Sequence, residues 1–455
     1  MIDPKIIREN PEKVKAVVAS GRGNVEKANI NRWLELDAQR SELKQKVEKY
    51  NQKKNEISKV GSINPEEARR LAGELKSEFD ISKLNADLET VEKEWNEIAS
   101  WIPNMPIEEF MTLGKGEEDN IVIKVWTPDK GYIEIEPYKY SEGSAKYMPQ
   151  GIIHSDKPDM QPIHHLDIGE ALGIINNQQA ALIAGTRFTF ILEDLALLQY
   201  ALQQFMFEKL IADGFKYVIP PLLVKEKVLF GTSHLPEHAD QFYRIEKEYL
   251  EEGSTLALVG SSEPSNFALF MDRTVDEKDL PYKMFAYTPC FRSEVGSWGK
   301  DVRGIKRVHQ FDKIEMDVVC KPEESNKIFD ELLAINEWIL QSLKLPYHLV
   351  QKCTGDAGYM ASARQVDPEA WLGSQQTFME VGTDTNTTDF QARRMNIKVK
   401  RKDGTLELAH TVNDTAIAMG RMLIAIIENY QQSDGTIKIP EVLRKYFGNR
   451  EFIGK

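Results

Sequence analysis

Two long stretches near the start of the chain carry a narrow apolar seam. Over residues 27–60, Ile30, Trp33, Leu36, Leu43, Val47, Tyr50, Ile57 and Val60 fall mostly at three-, four- or seven-residue steps. Over 65–101, Ala68, Leu71, Leu75, Phe79, Leu84, Leu88, Val91, Trp95 and Ile98 do the same. Such spacing sets one stripe of each helix against a partner, as in coiled coils. Between the stretches lies "VGSINPEE". Gly61 stops the first helix, Asn64 caps the second, and Pro65 suits its first turn. The pattern predicts an antiparallel helical hairpin ~45 Å long, at about 1.5 Å per residue.

After Pro103 the period changes. "NIVIKVW" (Asn120–Trp126) and "GYIEIE" (Gly131–Glu136) alternate as strands do, and residues 134–165, with Pro137, Pro149, Pro158 and Pro162, read as loop. From about residue 170 helices and strands mix without a βαβ rhythm. The expected class is α+β: a helical hairpin followed by a domain on a largely antiparallel sheet flanked by helices. Domains are expected at 1–110 and 111–455, since 455 residues exceed one ordinary core.

The segment "CFRSE" and the segment "RVHQFDKIEMDVV" read as two strands. In a strand, residues two apart share a face, so Arg292 and Glu294 point the same way. On the second strand Phe311, Lys313, Glu315 and Asp317 share a polar face, while Ile314, Met316 and Val318 share an apolar one. A sheet buried on one side and open to a ligand on the other looks like this.

In "NDTAIAMGRMLIAIIENYQQ", Asn413, Asp414 and Thr415 are N-cap types, and everything from Ala416 to Ile427 is apolar or glycine except Arg421. That predicts a helix buried on all sides. A buried arginine requires an anionic partner, either a structural Asp or Glu or a phosphate. "LVGSSEPSN" and "FMEVGTDTNTTDFQARRMNI" contribute Ser261, Ser262, Glu263, Glu380 and Thr383. These carboxylates and hydroxyls suit a polar site, or equally salt bridges and turns.

Charge sharpens the picture. The formal net charge is -13, which argues against indiscriminate nucleic-acid binding but not against a local basic surface. One such surface is "FRSEVGSWGKDVRGIKRVHQF". It joins the two strands through Gly296, Gly299 and Gly304 and carries Arg292, Lys300, Arg303, Lys306 and Arg307 against only Glu294 and Asp301. It is either an ordinary charged surface hairpin or a cradle for a polyanion. A second basic surface is the first hairpin helix, with Arg40, Lys44, Lys46, Lys49, Lys53, Lys54 and Lys59 diluted by Glu42, Glu48 and Glu56. It reads as a solvated face with i,i+4 pairs or as an arm along a phosphate backbone.

Cys290, Cys320 and Cys353 lie far apart and form neither a disulfide framework nor a zinc cluster. A reducing, cytoplasmic location is expected, with no signal segment and no run of the ~20 apolar residues that span a bilayer. The chain has no GxxxxGK[ST], no GxGxxG after a strand, no GxSxG and no HExxH. Any ATP is therefore bound by neither a P-loop nor a Rossmann turn.

"FRSEVGSWGKDVRGIKRVHQFDKIEM" resembles motif 2 of the seryl-tRNA synthetases, a class II family. "TDFQARRMNI" followed by "AMGRMLIAIIENYQQSDGTIKIPEVL" resembles the approach to, and the body of, their motif 3. "DGFKYVIPPLLV", with Pro220, resembles motif 1; "GTSHLPEHADQFYRIE" is similar to a further family segment, and the hairpin to the family's tRNA-binding arm.

The resemblance covers nearly the whole chain and implies a two-step reaction. Serine and ATP give seryl-adenylate, and the terminal ribose hydroxyl of tRNA(Ser) then takes the seryl group; tRNA(Sec) is a further candidate acceptor. It implies ATP binding by Arg292, Ser293, Glu294, Arg307, Val308, Phe311, Glu380, Val381, Gly382, Thr383 and Arg421. Arg292 would meet the α-phosphate and the serine carboxylate, Glu294 the adenine amine, Phe311 the adenine ring and Arg421 the γ-phosphate. Serine would be held by Ser261, Ser262, Glu263, Arg292, Glu315, Asn413 and Thr415. Mg²⁺ arriving with ATP would sit at Glu380 and Thr383, and no zinc is expected. Lys44, Lys46, Lys53 and Lys54 would contact tRNA, and the protein would be a homodimer with no membrane partner.

The family usually has threonine where Ser261 stands, often serine where Thr383 stands, and in many members Asn-Gly-Ser-Gly in place of Asn413-Asp414-Thr415-Ala416. Residues 134–165 also form a longer segment than a bacterial-type member is expected to have. Two rival readings are a ligase that charges a carrier protein, expected to lack the arm, and a non-catalytic tRNA-binding scaffold, expected to lose Arg292, Glu294, Glu380 or Arg421.

Overall fold

The structure is a computed structural model that describes residues 1–20, 22, 24–295, 304–358 and 360–454. The chain divides into two compact units, Met1–Pro103 and Asn104–Lys455. No helix among the described residues is long and apolar enough to cross a membrane.

The first unit opens with two short helices, α1 (Pro4–Glu9) and α2 (Pro11–Ala19). The hairpin follows as α3 (Ile30–Gly61), α4 (Pro65–Glu78) and α5 (Ile81–Trp101). The expected cap is present: the Asn64 side chain accepts from the Glu67 amide, and Pro65 occupies the first turn. The returning arm is two helices, whereas the seam predicts one. Phe79 is extended, and the Asp80 carboxylate caps α5 by accepting from the Lys83 amide. The seam holds where it is widest, at buried Trp33, Leu36, Trp95 and Ile98, with the two indole rings 5.1 Å apart. Further along, Tyr50 meets Phe79 edge-on at 6.1 Å. Ion pairs cross the hairpin from Arg32 to Glu94, from Arg40 and Lys44 to Glu92, and from Lys53 to Glu78.

The second unit is built on a sheet of eleven strands among the described residues. They are β1 (Ile121–Thr127), β2 (Gly131–Ile133), β3 (Tyr138–Lys139), β4 (Lys216–Tyr217), β5 (Tyr282–Phe291), β6 (Gln310–Cys320), β7 (Tyr347–Gln351), β8 (Arg364–Leu372), β9 (Thr377–Glu380), β10 (Asp384–Asn386) and β11 (His410–Ala418). Their order is β2-β1-β7-β8-β10-β11-β6-β5-β4, with β9 on β8 and β3 on β1. Every pairing is antiparallel except β5 with β4. The α+β expectation therefore holds. The strand expected over 131–136 pairs only as far as Ile133.

Three helices, α6 (Glu193–Ala212), α7 (Ser325–Ser342) and α8 (Met419–Tyr430), cover one face of the sheet. Their apolar side chains share one core with Ile314, Met316 and Val318 of β6 and Val412 and Ala416 of β11. The alternation read along β6 is thus realised: its odd-numbered residues are left for the opposite face of the sheet.

The reading of Asn413–Thr415 as a helix cap is overturned. They lie inside β11, paired with β6 on one side and β10 on the other, and α8 begins at Met419 with no side-chain cap. Cap propensity is a local preference, and two flanking strands outweigh it. The shift puts Arg421 in the first turn of α8, part-exposed, rather than deep in a buried helix.

Asp414, on the helix-covered side, is buried and accepts from Asn336 of α7 through both oxygens, at 2.6 and 2.7 Å. Its cross-strand neighbour Asp384 is equally buried, and among the described residues no side chain donates to either of its oxygens. Burial, then the Asp414 charge, holds Asp384 well above the usual carboxylate range.

Candidate active site

A cavity of about 440 Å³ opens on the face of the sheet away from α6–α8. Five segments bring the expected residues to it, and His234, His238, Gln241, Phe242, Gly358 and Gln365 also line it. The loop after the short strand Ala257–Leu258 brings Ser261, and Glu263 opens the helix Glu263–Ala268. The chain leaving β5 brings Arg292 and Glu294. β6 supplies Phe311, Lys313 and Glu315, preceded by Arg307 and Val308. The β9–β10 corner supplies Glu380 and Thr383, and the end of β11 with the first turn of α8 supplies Asn413, Thr415 and Arg421.

Arg292 and Glu294 reach the cavity by a different route from the strand alternation. β5 ends at Phe291, and Glu294 has a φ of 50°, a conformation uncommon outside glycine. Arg292 Nε donates to the Gly260 carbonyl at 3.3 Å, and its guanidinium lies 5.5 Å from the Phe311 ring centre. Arg307 donates to the Glu294 carboxylate.

At one end of the cavity the groups form a tight polar net. Lys313 Nζ is 2.5 Å from Glu315 Oε2 and donates to Thr415 Oγ1 at 3.2 Å; Thr415 Oγ1 donates to Glu315 Oε2 at 3.1 Å. Gln391 Nε2 donates to Glu263 Oε1 at 2.6 Å, and Asn413 Nδ2 approaches the same oxygen at 3.4 Å. Burial, then the charge of Glu315, pushes Glu263 up to about 8, with the Gln391 hydrogen bond opposing. Burial, the largest single influence, lowers the Lys313 ammonium, but Glu315 and Cys290 together outweigh it and hold Lys313 above the usual lysine range.

At the other end Arg421 donates to Glu380 twice, to its carboxylate at 2.8 Å and its carbonyl at 3.0 Å. Thr383 Oγ1 donates to the same carboxylate at 3.3 Å. Burial raises Glu380, but the charges of Arg421, Lys352 and Arg292 more than offset it, so the carboxyl sits below its ordinary range. Both partners keep part of their side chains open to the cavity, 29% for Arg421 and 44% for Glu380, so neither is sealed against a ligand.

Four residues implied by the resemblance do not line the cavity. The Ser262 side chain is fully buried, Ser293 donates to the Asp240 carbonyl, and Val381 belongs to the helix-side core. Gly382 serves by lacking a side chain, since a Cβ there would come within 2.7 Å of the Thr415 carbonyl. Gly296, Gly299, Lys300, Asp301 and Arg303 lie outside the described residues. On the arm, Lys44 pairs with Glu92, Lys46 with Glu42 and Lys53 with Glu78; Lys54 is exposed.

Lys313, His234 and Gln391 belong to the site but were not among its expected residues. For Lys313 a signal was present: a cation on the ligand face between an aromatic ring and a carboxylate. His234 and Gln391 reach Glu263 from 29 and 128 residues away in the chain, a distance no local spacing encodes.

Comparison with known proteins decides the family. The model described as "Seryl-tRNA synthetase N-terminal domain" matches residues 1–106, and "tRNA synthetase class II core domain (G, H, P, S and T)" matches 243–430. The serine--tRNA ligase of Sulfurihydrogenibium sp. (strain YO3AOP1) is 41% identical over 357 residues, 78% of each chain. The chain belongs to the seryl-tRNA synthetase family. The serine--tRNA ligase of Pseudothermotoga lettingae is 36% identical over 455 residues, covering 98% of this chain and 99% of its own. Among solved structures, the seryl-tRNA synthetase of Pyrococcus horikoshii complexed with ATP superposes with a TM-score of 0.86 at 33% identity, covering 100% of this chain and 99% of that one. Membership in the seryl-tRNA synthetase family makes the chain a class II tRNA ligase, and most of its cavity lining falls within the matched core, with His234, His238, Gln241 and Phe242 just before it.

Proposed function

We propose that this cavity forms seryl-adenylate from L-serine and ATP, and that the seryl group then passes to the 3′ end of tRNA(Ser). The observation that carries this reading is the position of Arg292. Its charge acts on Glu263 at one end of the cavity and on Glu380 at the other, so one cation lies between a carboxylate-lined amino-acid end and an arginine-bearing phosphate end. Attack of the serine carboxylate on the α-phosphorus builds negative charge between those ends, where a fixed guanidinium is most effective.

Glu263, Glu315, Asn413 and Thr415 supply acceptors and donors for an ammonium and a hydroxyl. Phe311 offers a ring face to adenine and Glu294 an acceptor for its amine. Arg421 exchanges Glu380 for the γ-phosphate, which matches its fork geometry. No group of the chain forms a covalent intermediate; its residues orient two substrates and stabilise charge. The oxygens of Glu380 and Thr383 are hard donors that fit Mg²⁺. Bound there with ATP, Mg²⁺ would neutralise phosphate charge.

The helical hairpin supports tRNA, rather than a carrier protein, as acceptor, because the family match over 1–106 includes it. We place the protein in the cytoplasm, where its three cysteines stay free and buried. We assign it a homodimer. Leu182, Ile183, Tyr200, Ile211 and Ile219 of the second unit are exposed apolar side chains that a partner would cover.

ATP–pyrophosphate exchange tests the first step. Exchange that depends on serine, with alanine far poorer, is expected, because a site built to bond a hydroxyl leaves buried polar groups unpaired when the hydroxyl is missing. Exchange with alanine equal to that with serine, or none with either, sinks the reading.

A further inference from the structure

The polar net of Lys313, Glu315 and Thr415 takes its shape from a bulge. β6 and β11 pair Ile314 with Ile417 and Glu315 with Thr415, so Ala416 is an extra residue with no counterpart on β6. Ala416 and Ile417 both join the helix-side core. The extra residue turns Thr415 to the cavity, directly across from Glu315. In unbroken register Ala416 would stand there, and Thr415 would point into the core.

The net is closed on one side and open on the other. Lys313 Nζ pairs with Glu315 Oε2 at 2.5 Å and donates to Thr415 Oγ1 at 3.2 Å, and Thr415 Oγ1 donates to that same Oε2 at 3.1 Å. An ammonium carries three N–H bonds, so one is left over, and among the described residues no further group accepts it. Nor does any described residue donate to Glu315 Oε1. All three side chains line the cavity, and that of Lys313 is only 6% exposed. A donor set so deep is costly to leave unmade, and the space beside it is the cavity. A hydroxyl completes a spare N–H beside a spare carboxylate oxygen, since it both accepts and donates. An ammonium does not, having no lone pair to offer Lys313 and the same sign of charge.

We infer that Lys313 donates to the hydroxyl of serine while Glu315 accepts from it, which makes Lys313 a specificity-determining residue and turns the ammonium of serine away from Glu315, toward Glu263. This deepens the reading of the cavity as the serine site and rests on it.

The charges agree. Lys313 is held above the usual lysine range, so it stays an ammonium at neutral pH and already balances Glu315. No lysine stands against Glu263 in the same way. Neutral amides bond its Oε1, Gln391 at 2.6 Å and Asn413 at 3.4 Å, and His234 Nε2 lies 3.8 Å from its Oε2.

Two stable adenylate analogues test this, the sulfamoyl forms of seryl- and alanyl-adenylate, which differ by one hydroxyl. Calorimetry should show that the unaltered protein prefers the seryl analogue. Lys313→Met keeps a side chain of similar length and removes the donor. The preference should then fall about 10- to 100-fold, the scale of one lost hydrogen bond to a charged group. A merely structural lysine would weaken both analogues alike and leave their ratio unmoved.

An unchanged ratio in a folded Lys313→Met protein overturns the inference and leaves the serine site in place. Failure of the seryl analogue to bind the unaltered protein overturns the serine site itself, and the inference with it. If Lys313→Met does not fold, a crystal structure of the unaltered protein with the seryl analogue decides. Nζ within about 3.2 Å of the hydroxyl oxygen supports the contact, and a hydroxyl held by Thr415 and Glu315 alone overturns it.

Discussion

Two lysine–glutamate pairs show how differently the halves of this chain use charge. On the hairpin, Lys53 and Glu78 meet at 2.5 Å with 36% and 46% of their side chains in solvent. In the cavity, Lys313 and Glu315 meet at the same 2.5 Å with 6% and 3% exposed. The separation is equal and the consequence is not. A solvated pair is screened, contributes little to folding, and can exchange its carboxylate for another anion at small cost. A buried pair fixes geometry, because removing either member strands a charge away from water. The hairpin's charges are therefore suited to a large, exchangeable polyanion, and the cavity's to one small substrate in one orientation.

The largest effect should come from breaking the buried pair. Lys313→Met leaves Glu315 without its cation and Thr415 without a donor, and should destabilise the protein by about 3–5 kcal/mol. Chemical denaturation reads that loss. Because Lys313 is held above the ordinary lysine range, its stabilisation is fully present at neutral pH and is lost as pH rises through that raised range. Serine activation in whatever protein folds should be severely impaired. A variant of unchanged stability would mean that burial does not separate the two kinds of pair.

Next comes Arg421→Ala, at a pair intermediate in exposure. If Arg421 chiefly serves ATP, adenylate formation should fall about 100-fold, the scale of one lost transition-state contact, while the ligand-free melting temperature barely moves. ATP should then stabilise the variant less than the parent. A large drop in ligand-free melting would make the contact to Glu380 structural.

Asp384→Asn removes a buried acid to which no side chain among the described residues donates. Below the ordinary carboxylate range Asp384 is protonated folded or unfolded, so variant and parent should be equally stable. As pH rises through that range the unfolded chain ionises while the folded one holds its proton, so the parent loses stability and the variant does not. At neutral pH the variant should be ahead by about 1–3 kcal/mol. Denaturation at several pH values checks both the sign and the growth of the gap. A constant gap would show that Asp384 ionises in the fold.

How far these features could be read from sequence depended on whether their signal was local. The hairpin seam was legible because it repeats, and the cap at Asn64–Pro65 because it is chemical. The break at Phe79 left a faint trace, a five-residue step from Phe79 to Leu84 where the seam elsewhere takes three, four or seven. The polar face of β6 was legible because alternation is a local rule. Asn413–Thr415 misled because cap-type residues were judged by themselves, and only pairing with β6 and β10 makes them strand. The partners of Glu263 were invisible, since His234 and Gln391 arrive through tertiary folding alone.

The smallest effects, and the most discriminating, belong to the arm. Lys44, Lys46 and Lys53 are each paired with a glutamate, so each must give up that carboxylate to meet a phosphate. Lys54 is exposed, and among the described residues no ion pair engages it. If the arm lies along tRNA, Lys54→Ala should weaken tRNA binding more than Lys46→Ala, because Lys46 first has to leave Glu42. Each lysine that truly neutralises a phosphate should lower the slope of log affinity against log salt by about 0.7–0.9 when replaced. Neither substitution should touch serine-dependent pyrophosphate exchange or move the melting temperature. Removing the competing carboxylate by Glu42→Gln should instead tighten tRNA binding, by freeing Lys46. Titrations of tRNA at several salt concentrations measure all three. A salt slope unchanged in Lys54→Ala, together with unaltered affinity in Glu42→Gln, would leave the arm's basic face as a solvated surface and assign tRNA recognition to other residues.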